Sequence, residues 1–169
     1  MTTPLYDASV PVFRQMLDAL SDLLRKGEAH ARERGLDPDA MLAARLAPDM
    51  LTLVGQVQRA SDHAKGAAGR LAGLEPPPFA DDEGNLAAAH ARISRTLDYI
   101  DTLPVGAFDK AAERIISLPF GVPPMPAARY LYGFALPSLF FHVATAYAIL
   151  RHHGVALGKR DFLGNYVSQ

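Results

Sequence analysis

The six histidines are the most chemically versatile side chains of this 169-residue sequence, since imidazole binds metal ions and transfers protons near neutral pH. His142 is the most informative of them. It falls on the apolar stripe of a predicted helix, where a polar ring needs a partner or a ligand. Four residues further on, where a second metal-binding histidine would share that face, the sequence has Ala146. The last helix therefore offers one candidate ligand.

His63 is the best partner for His142. It shares the helical phase of Thr52 and Gln56, at the flank of an apolar face, and a helix packed there would bring it inside. Because a metal site in a helical bundle needs ligands that converge from facing helices, we predict a degenerate site for one divalent metal at His142 and His63, completed by Gln56 or Asp62. The alternative is that His142 donates a hydrogen bond in the core and binds no metal.

The remaining histidines do not extend this site. His153 shares the stripe of His142 but lies about 16 Å further along the axis, and His152 points to another face. His30 and His90 have polar neighbours and are predicted to be solvated. The aromatic residues near His142 suit the wall of a small-molecule pocket, for which we name Gln56, Ala146 and Tyr147 as pocket residues.

Composition argues against several other functions. The sequence has no cysteine, which excludes a disulfide scaffold, a thiolate zinc site and a cysteine nucleophile. A net charge of −1 without a basic stripe argues against nucleic-acid binding. No nucleophile elbow, phosphate loop or dinucleotide fingerprint is present. The N-terminal residues do not resemble a signal peptide, so we predict a cytoplasmic protein.

Four long helices are predicted to position the candidate residues. Apolar side chains at spacings of three and four indicate helices over about 10–34, 48–72 and 86–103, and the last covers about 127–153. A short helix begins at Pro38, a proline-rich connector covers 73–85, and residues 105–126 form a short irregular or β insertion before the last helix. Residues 155–169 are predicted to be a surface strap. We predict one all-α domain over 1–169, a four-helix bundle.

Residues 130–150 are apolar over a length that raises the question of a membrane span. However, Ser138, His142 and Thr145 interrupt this window and Pro137 lies near its middle, where it is expected to kink the helix. No second span accompanies it. A buried helix of the bundle explains the window better, and we predict no membrane association.

Several ordered stretches of the sequence resemble a bacterial family, domain-of-unknown-function family nineteen-ninety-three. The resemblance covers nearly the whole chain. The stretches are ARLAPDM at 44–50, QVQ at 56–58 with AKGA at 64–67, FALP at 134–137 with FHV at 141–143, TAYAILR at 145–151 and GKRDFLG at 158–164.

This resemblance implies membership of the DinB/YfiT-like metalloenzymes, whose fold is a four-helix bundle in up-down-down-up order. In that superfamily one histidine of the second helix and two of the fourth, spaced HxxxH, hold a divalent metal that is often zinc or nickel. By position, His142 matches the first ligand of the fourth helix, Ala146 replaces the second, and His63 is an approximate match for the ligand of the second helix. Several relatives are transferases or isomerases that use bacillithiol, mycothiol or glutathione, and many are dimers.

Two functions follow as expectations. The first is a divergent metal-dependent or thiol-dependent transferase with a degenerate site around His142. The second is a non-catalytic bundle, a homodimer, that binds a small apolar ligand or a partner protein.

Overall fold

The computed structural model describes residues 4–119 and 121–166, and most of them are helical. Four of the α-helices are long and three are short. The α-helices in chain order are α1 (Pro4–Asp7), α2 (Val10–Glu33), α3 (Leu53–Ala72), α4 (Leu86–Asp101), α5 (Ala127–Tyr130), α6 (Leu136–His152) and α7 (Lys159–Leu163). The prediction of a mainly helical protein is confirmed.

The four long helices share one apolar core. Helix α3 packs against α4 and α6, and α2 packs against the same two helices. Small side chains on α3 allow this close approach, since Ala60, Ala64, Ala67 and Ala68 are fully buried. Large side chains of α2, such as Phe13 and Leu17, fill the space opposite, and burying one of them contributes roughly 1.5–3 kcal/mol.

Pairs of contacts give the relative directions of the helices. Asp62 of α3 contacts Arg92 of α4, and seven residues further along each helix Gly69 lies against Tyr99, so α3 and α4 are parallel. Helices α2 and α6 are parallel by the same reasoning, from the pairs Gly27–Leu150 and His30–Gly154. The antiparallel pairs are α2 with α4 and α3 with α6, as the contacts Ser21–His90, Arg14–Asp101, Gln56–His142 and His63–Phe134 require.

A side-chain cap and a loop hydrogen bond determine where α3 begins. The predicted start of the second long helix at Pro48 is wrong, because α3 begins at Leu53. The N–H of Leu53 donates to the carbonyl of Ala44 at 2.8 Å, which closes the intervening loop, and the Thr52 hydroxyl accepts from the N–H of Gly55 at 3.3 Å. Thr52 is therefore the N-cap. The preceding short helix, Pro38–Ala43, is a 3₁₀ helix.

A buried arginine fastens the connector between α3 and α4. The Arg92 side chain is fully buried and contacts three carboxylates, at 2.9 Å to Asp62, 2.9 Å to Glu83 and 3.1 Å to Asp81. It also donates to the carbonyl of Ala80 at 2.8 Å. A buried charge needs this degree of pairing, since removing it from water is costly. The connector is thereby held along α3, and α4 can start beside the beginning of α3.

The insertion before the last helix, predicted to be irregular or β, contains 3₁₀ turns and a small sheet. The 3₁₀ turns are Val105–Phe108 and Ala111–Glu113. Strand β1 (Ile115–Ile116) pairs antiparallel with β2 (Met125–Pro126), and Pro126 lies at the end of the ladder, where its missing N–H costs least. Arg114 donates to the carbonyl of Leu71 at 2.8 Å, which ties the insertion to the end of α3.

The last helical stretch has a wide turn at its centre. Residues Leu131–Ala135 form a π-helical turn between α5 and α6. Pro137 explains it, because a proline ring clashes with the carbonyl four residues earlier, and a wider turn moves that carbonyl away. Within the described residues, the stretch Ala127–His152 alone is long and apolar enough to cross a membrane. One face of it packs against α2 and α3.

The C-terminal segment is more than the predicted surface strap. Helix α7 packs against α2, where the Gln15 side-chain amide donates to the carbonyl of Leu163 at 2.8 Å. Val155 and Leu157 of the same segment are buried in the core. The segment therefore adds apolar burial to the ends of α2 and α6, which a solvated strap would not.

Candidate functional site

Three of the predicted site residues meet where α3 packs against α6. The ring nitrogen Nδ1 of His142 lies 2.8 Å from Oε1 of Gln56. The imidazole of His63 stacks on that of His142, with ring centroids 5.3 Å apart and an angle of 16° between the planes. The antiparallel packing of the two helices brings these side chains together across 79 to 86 residues of sequence.

The hydrogen bonds around Gln56 determine which nitrogen of His142 carries the proton. The side-chain amide of Gln56 donates from Nε2 to the carbonyl of Leu51 at 3.1 Å, so Oε1 faces the histidine. An amide oxygen only accepts, and Nδ1 of His142 must therefore be the donor. The neutral ring then carries its lone pair on Nε2. A histidine held in this way by its other nitrogen is typical of metal sites and of general bases.

The surroundings keep both imidazoles neutral at neutral pH. Burial lowers the pKa of His142 from 6.5 to about 4, and the neighbouring His63 and the positive charge of Arg59 act in the same direction. Burial also lowers the pKa of His63, with Asp62 opposing this shift and Arg59 and Arg70 adding to it. Because a metal ion competes with protons for imidazole, neither ring would need to lose a proton at pH 7 before it binds one.

A cavity of about 280 Å³ opens beside His63. Its helical wall is a stripe of α3 in which Arg59, His63 and Arg70 are spaced by four and seven residues, and so share one face. Its other walls are the π-helical turn with α5 and the insertion, through Tyr130, Phe134, Leu118, Pro119 and Val122. The ring of Phe134 contacts the ring of His63 edge to face, at 5.5 Å between centroids.

Among the other predicted site residues only Asp62 lines this cavity; His142, Gln56, Ala146 and Tyr147 do not. Ala146 is fully buried in the core, and Tyr147 is half-buried at its edge. Asp62 reaches the cavity wall, but its carboxylate is engaged by Arg92 at 2.9 Å and by Arg59 at 3.1 Å. Among the described residues no three His, Asp or Glu side chains are grouped so that they could hold a metal ion. Roles of these residues in binding remain predictions.

Sequence reasoning missed the arginines of the site and misjudged one histidine. The spacing of Arg59, His63 and Arg70 could have identified the arginines, since it places two cations on the same helix face as a candidate histidine. The prediction that His90 is solvated is wrong: it is half-buried, its Nδ1 lies 3.1 Å from the hydroxyl of Ser21, and its Nε2 is buried without a hydrogen bond among the described residues.

The fold is that of a helical protein of the DinB type. The chain is 38% identical to a DinB family member protein from Shewanella denitrificans of known crystal structure, with a TM-score of 0.92 over 98% of this chain and 94% of that chain. No curated protein matches the sequence. Residues 5–163 match the family model described as domain of unknown function (DUF1993), and the chain belongs to that family.

Proposed function

We propose that this chain is a divergent DinB-like enzyme of the metal-dependent or thiol-dependent transferase type, in which His142 and His63 bind one divalent ion, zinc or nickel. The observation that carries the proposal is the orientation of His142 by Gln56, which leaves the lone pair of Nε2 available beside a second imidazole. We also propose the up-down-down-up order of a four-helix bundle. The parallel pairs α2–α6 and α3–α4 support it.

The side chains at this site supply some, but not all, of the ligands that a divalent ion usually has in a protein. Two neutral imidazoles suit zinc and nickel, whereas catalytic zinc sites usually have three protein ligands. Ala146 supplies no third ligand, and Gln56 is occupied as the group that orients His142. Two stacked imidazoles do not direct their lone pairs at a common point, so the ring of His63 would have to turn before both rings could hold one ion. In the described part of the chain no hydrogen bond holds His63 in its present orientation.

When bound, such an ion would act as a Lewis acid and promote deprotonation of a bound thiol. The residues of the chain would have separate tasks. His142 and His63 bind, Gln56 fixes the protonated nitrogen of His142, and Phe134 shields the His63 ring from water on one side. Two ligands rather than three predict weaker binding than in a three-histidine site.

Metal titration of untagged protein tests this proposal. Chelator-treated protein is titrated with zinc or nickel by isothermal titration calorimetry, beside His142→Ala, His63→Ala and the control His152→Ala, whose position is exposed. We expect one ion per chain in the wild type and in the control, and at least a tenfold loss of affinity in the two site variants. No stoichiometric binding, or unchanged binding in His142→Ala, would refute a metal site here.

A specific observation favours the second function, a non-catalytic dimer. Four aromatic side chains of the last helical stretch are exposed, with Tyr132 at 55% and Phe141 at 56%, and with Phe134 and Phe140 at 36% and 37%. Exposed rings on one stretch of helix are typical of interaction surfaces. We propose that a second copy covers these exposed rings. Light scattering measures the molar mass of the wild type and of Phe141→Ser, in which dimerisation should weaken. A monomeric wild-type protein at micromolar concentration would exclude the homodimer.

A further inference from the structure

Arg70 is a half-buried cation in the cavity wall without a carboxylate partner. Among the described residues no Asp or Glu oxygen lies within 4.0 Å of its guanidinium, which lies close enough to the hydroxyl of Tyr130 to oppose the rise that burial causes in the pKa of that group. Arg59, on the same stripe, is different, because Asp62 and Asp81 both neutralise it. A partly desolvated charge is costly unless it has a counter-ion. The cavity therefore has an excess of positive charge at Arg70.

Gly66 allows Arg70 to take this position. Side chains on a helix lean toward its N-terminus, and Arg70 folds back over the turn that contains Gly66. A Cβ atom at position 66 would lie 2.5 Å from Nη1 of Arg70 and would meet no other residue within 4 Å. The missing side chain thus leaves room for the guanidinium to lie along α3 in the direction of His63, whose pKa its charge helps to lower.

Apart from Asp62, whose carboxylate Arg59 and Arg92 engage, apolar side chains form the rest of the cavity. Phe134 and the ring of Tyr130 stack at 5.9 Å between centroids, and Leu118 and Val122 of the insertion face them. A volume of about 280 Å³ holds roughly nine or ten non-hydrogen atoms, at the ~30 Å³ that one water molecule takes in the liquid. The occupant is therefore a small molecule with one charged end and one apolar end.

We propose that this cavity binds a small oxyanion, a carboxylate or phosphate monoester, that carries one apolar or aromatic group. Arg70 and the Tyr130 hydroxyl bind the anionic group, and Phe134, Leu118 and Val122 contact the apolar part. The assignment names the substrate class of the site proposed above and rests on that proposal for its location only. It does not require the metal ion, because the anion-binding groups all belong to the protein.

Calorimetry with a matched pair of ligands tests the assignment. Phenylacetate and its neutral isostere phenylacetamide, each of about ten non-hydrogen atoms, are titrated into untagged protein in the presence of EDTA, with phenyl phosphate as a second anion. We expect both anions to bind at least tenfold more tightly than the amide. A charge-assisted hydrogen bond contributes about ten- to a hundredfold in affinity, and Arg70→Gln is expected to lose that factor for the anions alone.

Three further variants test whether the position of the Arg70 charge, and not only the fold, determines anion binding. Gly66→Ala keeps the charge of Arg70 but displaces its guanidinium, and is expected to weaken the anions at least threefold. Gly84→Ala, whose new methyl group meets nothing within 4 Å, and Arg45→Gln, at an exposed arginine, are the controls and should bind as the wild type does. Circular dichroism confirms that each variant is folded before titration.

The outcomes distinguish this inference from the metal proposal. Equal affinity for phenylacetate and phenylacetamide, or unchanged anion affinity in Arg70→Gln, overturns the anion assignment. Selective anion binding in EDTA by a protein that takes up no zinc or nickel supports the anion assignment and refutes the metal site. Metal uptake without selective anion binding supports the metal site and overturns the anion assignment.

Discussion

Replacing His142 with asparagine should flatten the dependence of stability on pH between about pH 4 and 6.5. The asparagine side chain can still donate a hydrogen bond to Oε1 of Gln56, as Nδ1 of His142 does. The substitution removes the imidazole that titrates and keeps the hydrogen bond to Gln56. The variant therefore isolates the cost of placing a proton on His142 in the folded protein.

The magnitude follows from the pKa of His142 in the two states. In the folded protein burial lowers this pKa from 6.5 to about 4, whereas in the unfolded chain it returns to its ordinary value. Between these values the unfolded chain binds more protons, so the free energy of unfolding falls as the pH falls, and the loss is complete below the folded pKa. At 1.36 kcal/mol per pKa unit, reduced somewhat for the partial exposure of the ring, the loss is about 2–3 kcal/mol.

Urea unfolding at pH 7.5, 6, 5 and 4 measures this loss in the wild type and in His142→Asn. The difference between the two proteins is the relevant quantity, because the carboxylates and His90 titrate in both and cancel. The neighbouring His63 acts on the pKa of His142, so the difference also contains the coupling between the two rings. A histidine NMR titration gives the folded pKa directly, and His152→Asn at an exposed position is the control. Identical pH dependence of the two proteins, or a folded pKa of 6 or above for His142, would refute the burial argument.

Three further predictions concern stability. Arg92→Ala should lower the free energy of unfolding in urea by about 3–5 kcal/mol, since it leaves the buried carboxylate of Glu83 without a cation, whereas Arg95→Ala, whose exposed guanidinium stacks on a ring, should cost about 1 kcal/mol or less. Ala146→His overpacks a fully buried position and should cost about 1–3 kcal/mol. If the added imidazole completes a metal site, zinc should raise the melting temperature of that variant more than that of the wild type, and an equal shift contradicts this. Gly73→Ala should cost about 1–2 kcal/mol or more by thermal unfolding, because φ is +77° there and the new Cβ would lie 2.8 Å from the guanidinium of Arg114.

Local patterns predicted the helices well because helix formation and helix faces depend on neighbours in sequence. The apolar stripe of the last helix is buried at Leu131, Ala135 and Leu139, and it places His142 against the core as expected. The start of α3 was missed for a non-local reason: the Leu53–Ala44 hydrogen bond closes a loop that no periodicity reveals. His90 was misjudged for a similar reason, since its burial depends on α2 packing against α4.

The candidate site was predictable in part. Helical phase selected His142 and placed His63 and Gln56 at the flank of their helix, but the facing of α3 and α6 depends on the packing order of the helices. The burial of Arg92 could not be predicted from the sequence, because an arginine without an apparent partner is ordinarily exposed. Its partners Glu83 and Asp62 lie 9 and 30 residues away in the sequence. The counter-charges, not the arginine, determine its position.

The π-helical turn at Leu131–Ala135 also has a consequence for divergence within the family. A π turn contains one residue more than an α turn, so deleting one residue between 131 and 135 would restore a regular helix. Helix α6 with His142 would then keep its register on α3. The residues that precede the deletion in the same helical stretch would rotate about the helix axis by about 100° relative to α6. Tyr130 would leave the cavity in that single step. Ligand preference could therefore change through one codon, independently of the histidine pair.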